Sequence, residues 1–394
     1  MDRPLEGIRI LEFSTMITAA FAAMMMAEQG AEVIKVEPLE GGDPMRAFGS
    51  IKGGFSALFA NINRGKRSVC LDLKSDAGRG AVEALVADTD VLLCNFRPGV
   101  MDGLGLGSDA LRAINPGLVF AALSGFGTEG PLRDRPAYDP VIQAQAGFTA
   151  VQGERTPEPQ FVRNLVCDKI TAYTACQAVT AALFQRERTG QGQHIDLSMM
   201  DAGLFFLFPD GFMHHTLLDE DAEHRPPLAD ALYEPMVTAD GAITVSAGSP
   251  AQQIGMVQAL ERMDLLADER FSTTENLIAN LEAFREELRA TAAALDTDTL
   301  IERLEANDVP VARLIDFEDV LSHPQYAAND SLDVFTHPQL GTMRRMLSPA
   351  RFGGERLPPG RDAPAHGAHT REVLAELGHD DAAIDALVAS GAAR

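Results

Sequence analysis

The chain has 394 residues, 46% of them hydrophobic and 23% charged, and a formal net charge of −24 at pH 7. This is the composition of a globular protein long enough for two domains. So acidic a balance argues against nucleic acid and anionic membrane as partners, since both require a basic face, and no apolar run is long enough to span a bilayer.

In chain order, residues 8–13 form a short apolar run of buried-strand type, followed by a helical stretch over about 18–29. That stretch is interrupted by Thr18 and Glu28 and no basic segment precedes it, so it is not read as a signal peptide. Residues 31–36 and 68–73 are the next strands, a helix over 77–87 precedes a strand over 91–96, and 118–123 closes the series. The alternation predicts an α/β, Rossmann-like large domain over 1–213 with a mostly parallel sheet. Such folds hold ligands in the loops after the strand ends, here Asn95-Phe96-Arg97-Pro98-Gly99 and Ser124-Gly125-Phe126-Gly127. Neither loop carries the G-x-G-x-x-G fingerprint, and a P-loop is absent, so a nicotinamide dinucleotide site is not expected.

Residues 214–230 are acidic and proline-containing and read as a linker. A smaller α+β domain is expected over 231–320. Strands at 233–237 and 242–247 flank Ala239-Asp240-Gly241, and helices at 251–262, 277–295 and 298–306 precede a strand at 309–314. The remainder, 321–394, contains a proline- and glycine-rich stretch at 356–366 and then helical turns.

Cys70, Cys94, Cys167 and Cys176 form no CxxC pair or zinc spacing, so they read as buried thiols of a cytoplasmic protein. His214-His215 point apart on a helix, and neither HExxH nor a Ser-His-Asp order is present; neither a metal nor a permanently bound cofactor is expected. Every lysine (Lys35, Lys52, Lys66, Lys74, Lys169) precedes residue 170, and Arg46, Arg64, Arg67 and Arg97 join the first four. Positive residues clustered in an acidic chain suggest a local phosphate site, or a solvated face.

Asp168 follows a turn-rich stretch, 152–159, and precedes a small-residue helix over 170–185. Near a helix N-terminus the dipole and the free N–H groups favour an ionised carboxylate. With an ordinary pKa of ~3.9 such a group can cap the helix or attack an electrophile, and both readings stand.

The run Ala182-Leu183-Phe184-Gln185-Arg186-Glu187-Arg188-Thr189-Gly190-Gln191-Gly192-Gln193-His194-Ile195-Asp196-Leu197-Ser198-Met199-Met200-Asp201-Ala202 resembles a signature of the class III coenzyme A transferases. That family includes formyl-CoA transferase, carnitine CoA-transferase and α-methylacyl-CoA racemase. Pro4-Leu5-Glu6-Gly7-Ile8-Arg9-Ile10-Leu11-Glu12-Phe13, Gly30-Ala31-Glu32-Val33-Ile34-Lys35-Val36-Glu37, Asn63-Arg64-Gly65-Lys66-Arg67-Ser68, Asn95-Phe96-Arg97-Pro98-Gly99 and Tyr138-Asp139 are similar to further family segments. The resemblance implies that Asp168 is the nucleophile, with Tyr138 and Asp139 beside it. It also implies an interlocked homodimer in which the C-terminal segment returns to the large domain.

In the racemase branch a histidine stands where this chain has Tyr138. A phenol, with a pKa of ~10, is a poorer base at neutral pH than an imidazole at ~6.5, which favours transfer over racemisation. The formyl-CoA:oxalate branch has glutamine at Ile17 and tryptophan at Phe48, so oxalate is a disfavoured acceptor. That branch's glycine run is replaced here by Ser246-Ala247-Gly248-Ser249.

The expected activity moves coenzyme A from an acyl-CoA to a carboxylic acid, with coenzyme A entering as the acyl-CoA substrate. Asn95, Phe96, Arg97 and Gly99 are expected along its pantetheine and adenine arm, and Lys35, Arg46 and Arg67 near its phosphates. The alternatives are an acyl-CoA racemase and a CoA-ester-binding protein without turnover.

Overall fold

The structure, a computed structural model, describes residues 3–153, 158–223, 233–337 and 340–394. The turn residues 154–157, the later part of the expected linker (224–230) and the first two residues of the expected small domain lie outside the described residues. Two compact units are present: Met1–Gly211 with Asn329–Arg394, and Phe212–Ala328.

The larger unit is built on a six-stranded sheet. Its strands are β1 (Arg9–Phe13), β2 (Glu32–Glu37), β3 (Lys66–Cys70), β4 (Val91–Cys94), β5 (Val119–Ser124) and β6 (His194–Ser198). Their spatial order is β3-β2-β1-β4-β5-β6 and every pairing is parallel. Strand order therefore reverses beside β1. In a doubly wound sheet of this order, the crevice outside the carboxyl ends of β1 and β4 is where ligands sit.

Successive side chains of a strand face opposite sides, so each strand feeds two cores. On one side Leu11, Phe13, Ile34, Val69, Leu92 and Phe120 pack under a helix at Asp76–Val86. Val373, Leu374 and Ile384 from two helices near the C-terminus, Thr370–Glu376 and Asp381–Ala389, complete that core. On the other side Ile10, Val33, Val91, Leu93, Val119 and Ala121 meet α1 (Thr18–Glu28) and α2 (Val166–Thr189). Both helices are alanine-rich where they face the sheet, through Ala19, Ala22 and Ala23 of α1 and Ala172, Ala175 and Ala182 of α2. Small side chains let the two helix backbones approach: the Cys176 Sγ donates to the Ala22 carbonyl at 3.3 Å.

Most of the predicted strands agree with the sheet to within a few residues. The helix expected over 170–185 is longer at both ends, 24 residues in all. A two-stranded antiparallel sheet pairing Leu332–His337 with Gly341–Met346 was not expected from the sequence, where His337 before its proline reads as a turn residue.

The smaller unit has a three-stranded antiparallel sheet, Met236–Val237, Ala242–Val245 and Val311–Arg313, with the middle strand shared. Ile243 on that strand is fully buried among Val257, Leu260, Phe284, Leu288 and Leu300. The helix expected over 277–295 is divided into Thr274–Ala279 and Leu281–Ala292, interrupted at Asn280.

Candidate active site

The loop that leaves β1 is held from several directions. Asn95, just past β4, brackets Thr15: its Oδ1 accepts from the Thr15 N–H at 3.0 Å and its Nδ2 donates to the Thr15 carbonyl at 2.7 Å. Met16 has φ +62°, a left-handed backbone that costs free energy for a side chain of this size. Its N–H donates to Oδ1 of buried Asp43 at 3.1 Å. Asp43 pairs through Oδ2 with the Lys35 ammonium at 2.9 Å, and Lys35 pairs with Glu12 at 2.7 Å. Lys66 closes the group onto the other Glu12 oxygen at 2.8 Å.

All four side chains are buried, so two carboxylates and two ammonium groups neutralise each other out of water. Lys35 is held charged: burial opposes this, but Glu12, Asp43 and Glu37 raise its pKa. For Lys66 burial prevails and brings the group down to about 8.

Beyond this loop α1 begins at Thr18, whose hydroxyl donates to Oδ1 of Asp168 in the first turn of α2. Asp168 is not the cap of its helix, one of the two roles the sequence left open; Leu165 stands at that position without a side-chain bond. Capping comes from elsewhere. The backbone N–H of Asp168 donates to Oδ2 of Asp139 at 3.0 Å, and that of Val166 to the Asn164 carbonyl at 2.8 Å. Neither group is therefore available to a developing oxyanion.

Asp139 starts α3 (Asp139–Ala146), with Pro140 in its first turn and Tyr138 at the N-cap. Its other oxygen accepts from Gln143 at 2.6 Å, and Gln143 is fixed by the carbonyls of Val162 and Asn164, each at 3.1 Å. Nor does Asp168 keep an ordinary acidity. Burial pushes its carboxyl from 3.8 up to about 6; Asp139 adds to the rise, while Thr18 and Lys169 oppose it.

Asp168, Asp139, Tyr138, Asn95, Phe96 and Arg97 line one cavity of about 420 Å³ at the carboxyl end of the sheet. Tyr138 is 65% exposed there, with room to meet a substrate. Thr15, Met16, Thr18, Arg133 and Arg135 also line it, and the sequence reading did not include them. Thr18 opens the helix after the first loop, in the place where a Rossmann-type sheet presents its β1 loop, and that position was the available signal. The two arginines sit in Arg133-Asp134-Arg135, outside the cluster that drew attention.

Four expected coenzyme A contacts do not line the cavity. Lys35 is enclosed by Glu12, Asp43 and Ser14. Arg46 is spent on Glu37, at 2.6 Å, and on the Pro364 carbonyl, and lies over the Phe59 ring. Arg67 is buried between Glu32, Glu372 and Glu376. Gly99, at φ +82°, shapes the turn behind Arg97 and Pro98. Ile17 and Phe48, read as bearing on the acceptor, also stand elsewhere: Ile17 is packed with Met45, Phe59 and Ile62, and Phe48 is a half-exposed residue outside the lining. Among the described residues no group of three or more His, Cys, Asp or Glu is arranged to hold a metal ion, and no helix is long and apolar enough to cross a membrane.

A doubly wound sheet with an open crevice, lined by a half-buried carboxylate whose pKa is raised, is the architecture of an α/β protein with a candidate active site at its switch point. The model of CoA-transferase family III matches residues 5–370, and the chain belongs to that family of enzymes. It is 31% identical to the succinyl-CoA–D-citramalate CoA-transferase of Chloroflexus aurantiacus, over 95% of this chain and 94% of the relative. It is 32% identical to the succinate–glutarate CoA-transferase of Agrobacterium fabrum, over 95% of this chain and 96% of the relative. Among solved structures, a CaiB/BaiF family protein from Brucella suis superposes with a TM-score of 0.82 at 30% identity, covering 96% of this chain and all of that one.

Proposed function

We propose that the protein moves coenzyme A from an acyl-CoA to a free carboxylic acid, with Asp168 as the covalent nucleophile. One Asp168 oxygen attacks the thioester carbonyl and the C–S bond breaks, leaving an aspartyl–acyl anhydride and a CoA thiolate. The thiolate attacks the aspartyl carbonyl, releasing the donor acid and forming an aspartyl-CoA thioester. The acceptor carboxylate displaces the thiolate again, and the thiolate then takes the acceptor's acyl group, restoring Asp168. No net proton is gained or lost.

The observation that carries this reading is the Asp168 carboxylate itself. It lines the cavity at the sheet's switch point, is partly withdrawn from water and accepts the Thr18 hydroxyl, while the backbone N–H of the same residue is held by Asp139. Asp139 acts as a positioning group that fixes the start of α2. Tyr138 donates to an acyl oxygen. Phe96 lies along the pantetheine arm, and Arg97, Arg133 and Arg135 take the phosphates, since Lys35, Arg46 and Arg67 are engaged elsewhere.

Dicarboxylic acids longer than oxalate are the acceptors to try first, because relatives are named for succinyl-CoA with citramalate and for succinate with glutarate. The chain works as an interlocked homodimer in a reducing cytoplasm, a reading supported by the family resemblance and by four free thiols. Light scattering on diluted protein tests the dimer, and a monomer at micromolar concentration would count against it.

Incubation with succinyl-CoA followed by hydroxylamine tests the chemistry. Asp168 should emerge as its hydroxamate, seen as a mass shift on that peptide alone, and Asp168→Asn should lose several orders of magnitude in turnover. Normal transfer by the folded Asn variant would refute the mechanism. Deuterium entering the α-carbon of the acyl-CoA in heavy water would point to the racemase instead.

A further inference from the structure

The Asp168 carboxylate has two oxygens, and only one can make the new bond. Rotation about the last side-chain torsion of an aspartate is broad, so an unheld carboxylate presents either oxygen at many angles. Here Oδ1 accepts the Thr18 hydroxyl. We propose that Thr18 is a positioning residue for transfer: it fixes the carboxylate plane through Oδ1 and leaves Oδ2 as the attacking oxygen. This rests on Asp168 being the nucleophile.

Three features support it. First, a threonine hydroxyl in a helix ordinarily turns back to a carbonyl of its own preceding turn. Thr171, Thr174 and Thr180 on α2 each do so. Thr18 is at the first position of α1, with no earlier turn behind it, and its hydroxyl crosses to α2.

Second, Thr18 is itself held. It is buried, Ile17 before it is packed in a core, and Met16 and Thr15 are fixed by Asp43 and Asn95. Asp43 is tied in turn to Lys35 and Glu12, so a buried ionic group supports the left-handed turn that delivers one hydroxyl. A group held this firmly preorganises its partner before substrate arrives.

Third, a hydroxyl donated to a carboxylate stabilises the charged form, which burial and Asp139 both oppose. The groups that act on Asp168 are Asp139 from α3 and Lys169 on its own helix, while Tyr138, Arg97, Arg133 and Arg135 share its cavity. Thr18 is the neutral side chain that donates to the carboxylate itself.

The test compares Thr18→Val, which keeps the shape and loses the donor, with Thr18→Ser, which keeps the donor and loses the methyl group. Asp168→Asn is the reference, and the probes are succinyl-CoA and glutarate. For Thr18→Val, kcat should fall roughly tenfold to a hundredfold, the worth of a hydrogen bond to a charged group. KM for succinyl-CoA should stay within about twofold of wild type, as expected when only transition-state stabilisation is lost. The acidic limb of the kcat/KM profile, which reports the free enzyme, should move up by about one pH unit. Thr18→Ser should recover most of the loss. If valine does not fold there, Thr18→Ala removes the same donor with less bulk.

An unchanged kcat and acidic limb in the valine or alanine variant, with Asp168→Asn inactive, would overturn the role of Thr18 and leave the nucleophile standing. A serine variant as impaired as valine would overturn it too, because the methyl packing would then be what matters. An active Asp168→Asn variant would instead remove the reading on which the proposal rests.

Discussion

Asp139 and Asp168 are joined in an unusual sense: the carboxylate of one, Oδ2, accepts the backbone N–H of the other at 3.0 Å. Asp139 thus caps the helix that carries Asp168 while its negative charge raises the Asp168 pKa. Anchoring and electrostatics come from one side chain, and substitution separates them. Asp139→Asn can keep an oxygen acceptor for the N–H and removes the charge, at the loss of the bond from Gln143 to the other oxygen. The Asp168 pKa should then fall, and the acidic limb of the transfer rate, expected near pH 6 in wild type, should move to lower pH. Asp139→Ala should lose the anchor as well, with kcat lower than in the Asn variant at every pH. Rate profiles from pH 4.5 to 8 for the three proteins check this; an upward move in the Asn variant would contradict it.

Stability should show the strain of keeping Asp168 charged. Its carboxyl sits at about 6 in the folded protein against 3.8 for a free side chain. Below pH 3.8 both folded and unfolded chains are protonated and there is no penalty. Between 3.8 and 6 the penalty grows, and above 6 it is complete. Asp168→Asn should therefore be more stable than wild type at pH 7.5, by about 1–3 kcal/mol, and no more stable below pH 4. Urea unfolding at the two pH values reads the difference directly.

Lys35 should prove to be a structural cation. Lys35→Met leaves Glu12 and Asp43 short of a partner in a buried setting, a loss of about 3–5 kcal/mol. At a temperature where the variant remains folded, KM for acyl-CoA should stay close to wild type. A large rise in KM without loss of stability would restore the phosphate role that the sequence suggested.

The opposite pattern is expected at Arg133 and Arg135. Each lines the cavity from an exposed loop. Alanine at either should leave thermal unfolding unchanged and raise KM for acyl-CoA about three- to tenfold, an effect that shrinks as salt is added. Equal KM values at low and high salt would remove both from the phosphate site.

How far the sequence anticipated this arrangement depended on the range of the interaction. Strands such as 91–94 and 119–124 are apolar runs buried on both faces, a signal contained in a few neighbouring residues, and they were legible. The helix that carries Asp168 was legible for the same reason. The ion-pair partners were not legible, because Lys35, Arg46 and Arg67 look alike in sequence whether they meet a phosphate or a carboxylate. Their partners, Glu12, Asp43 and Glu37 for the first two and Glu372 and Glu376 for the last, are fixed by sheet register and by a segment some 300 residues away. Thr18 was passed over because its partner lies 150 residues on, across two packed helices.

The larger unit is discontinuous along the chain, with Phe212–Ala328 intervening between its two parts. Val373, Leu374 and Ile384, which complete one face of the central sheet, leave the ribosome long after the six strands have done so. Throughout the synthesis of the intervening residues, that face lacks its last apolar cover and the edge at β3 lacks its contact between Leu71 and Ala393. A nascent chain in this state is a target for chaperones and a risk for aggregation. Truncations that remove the last two helices should accordingly accumulate as insoluble protein, however intact the residues around Asp168.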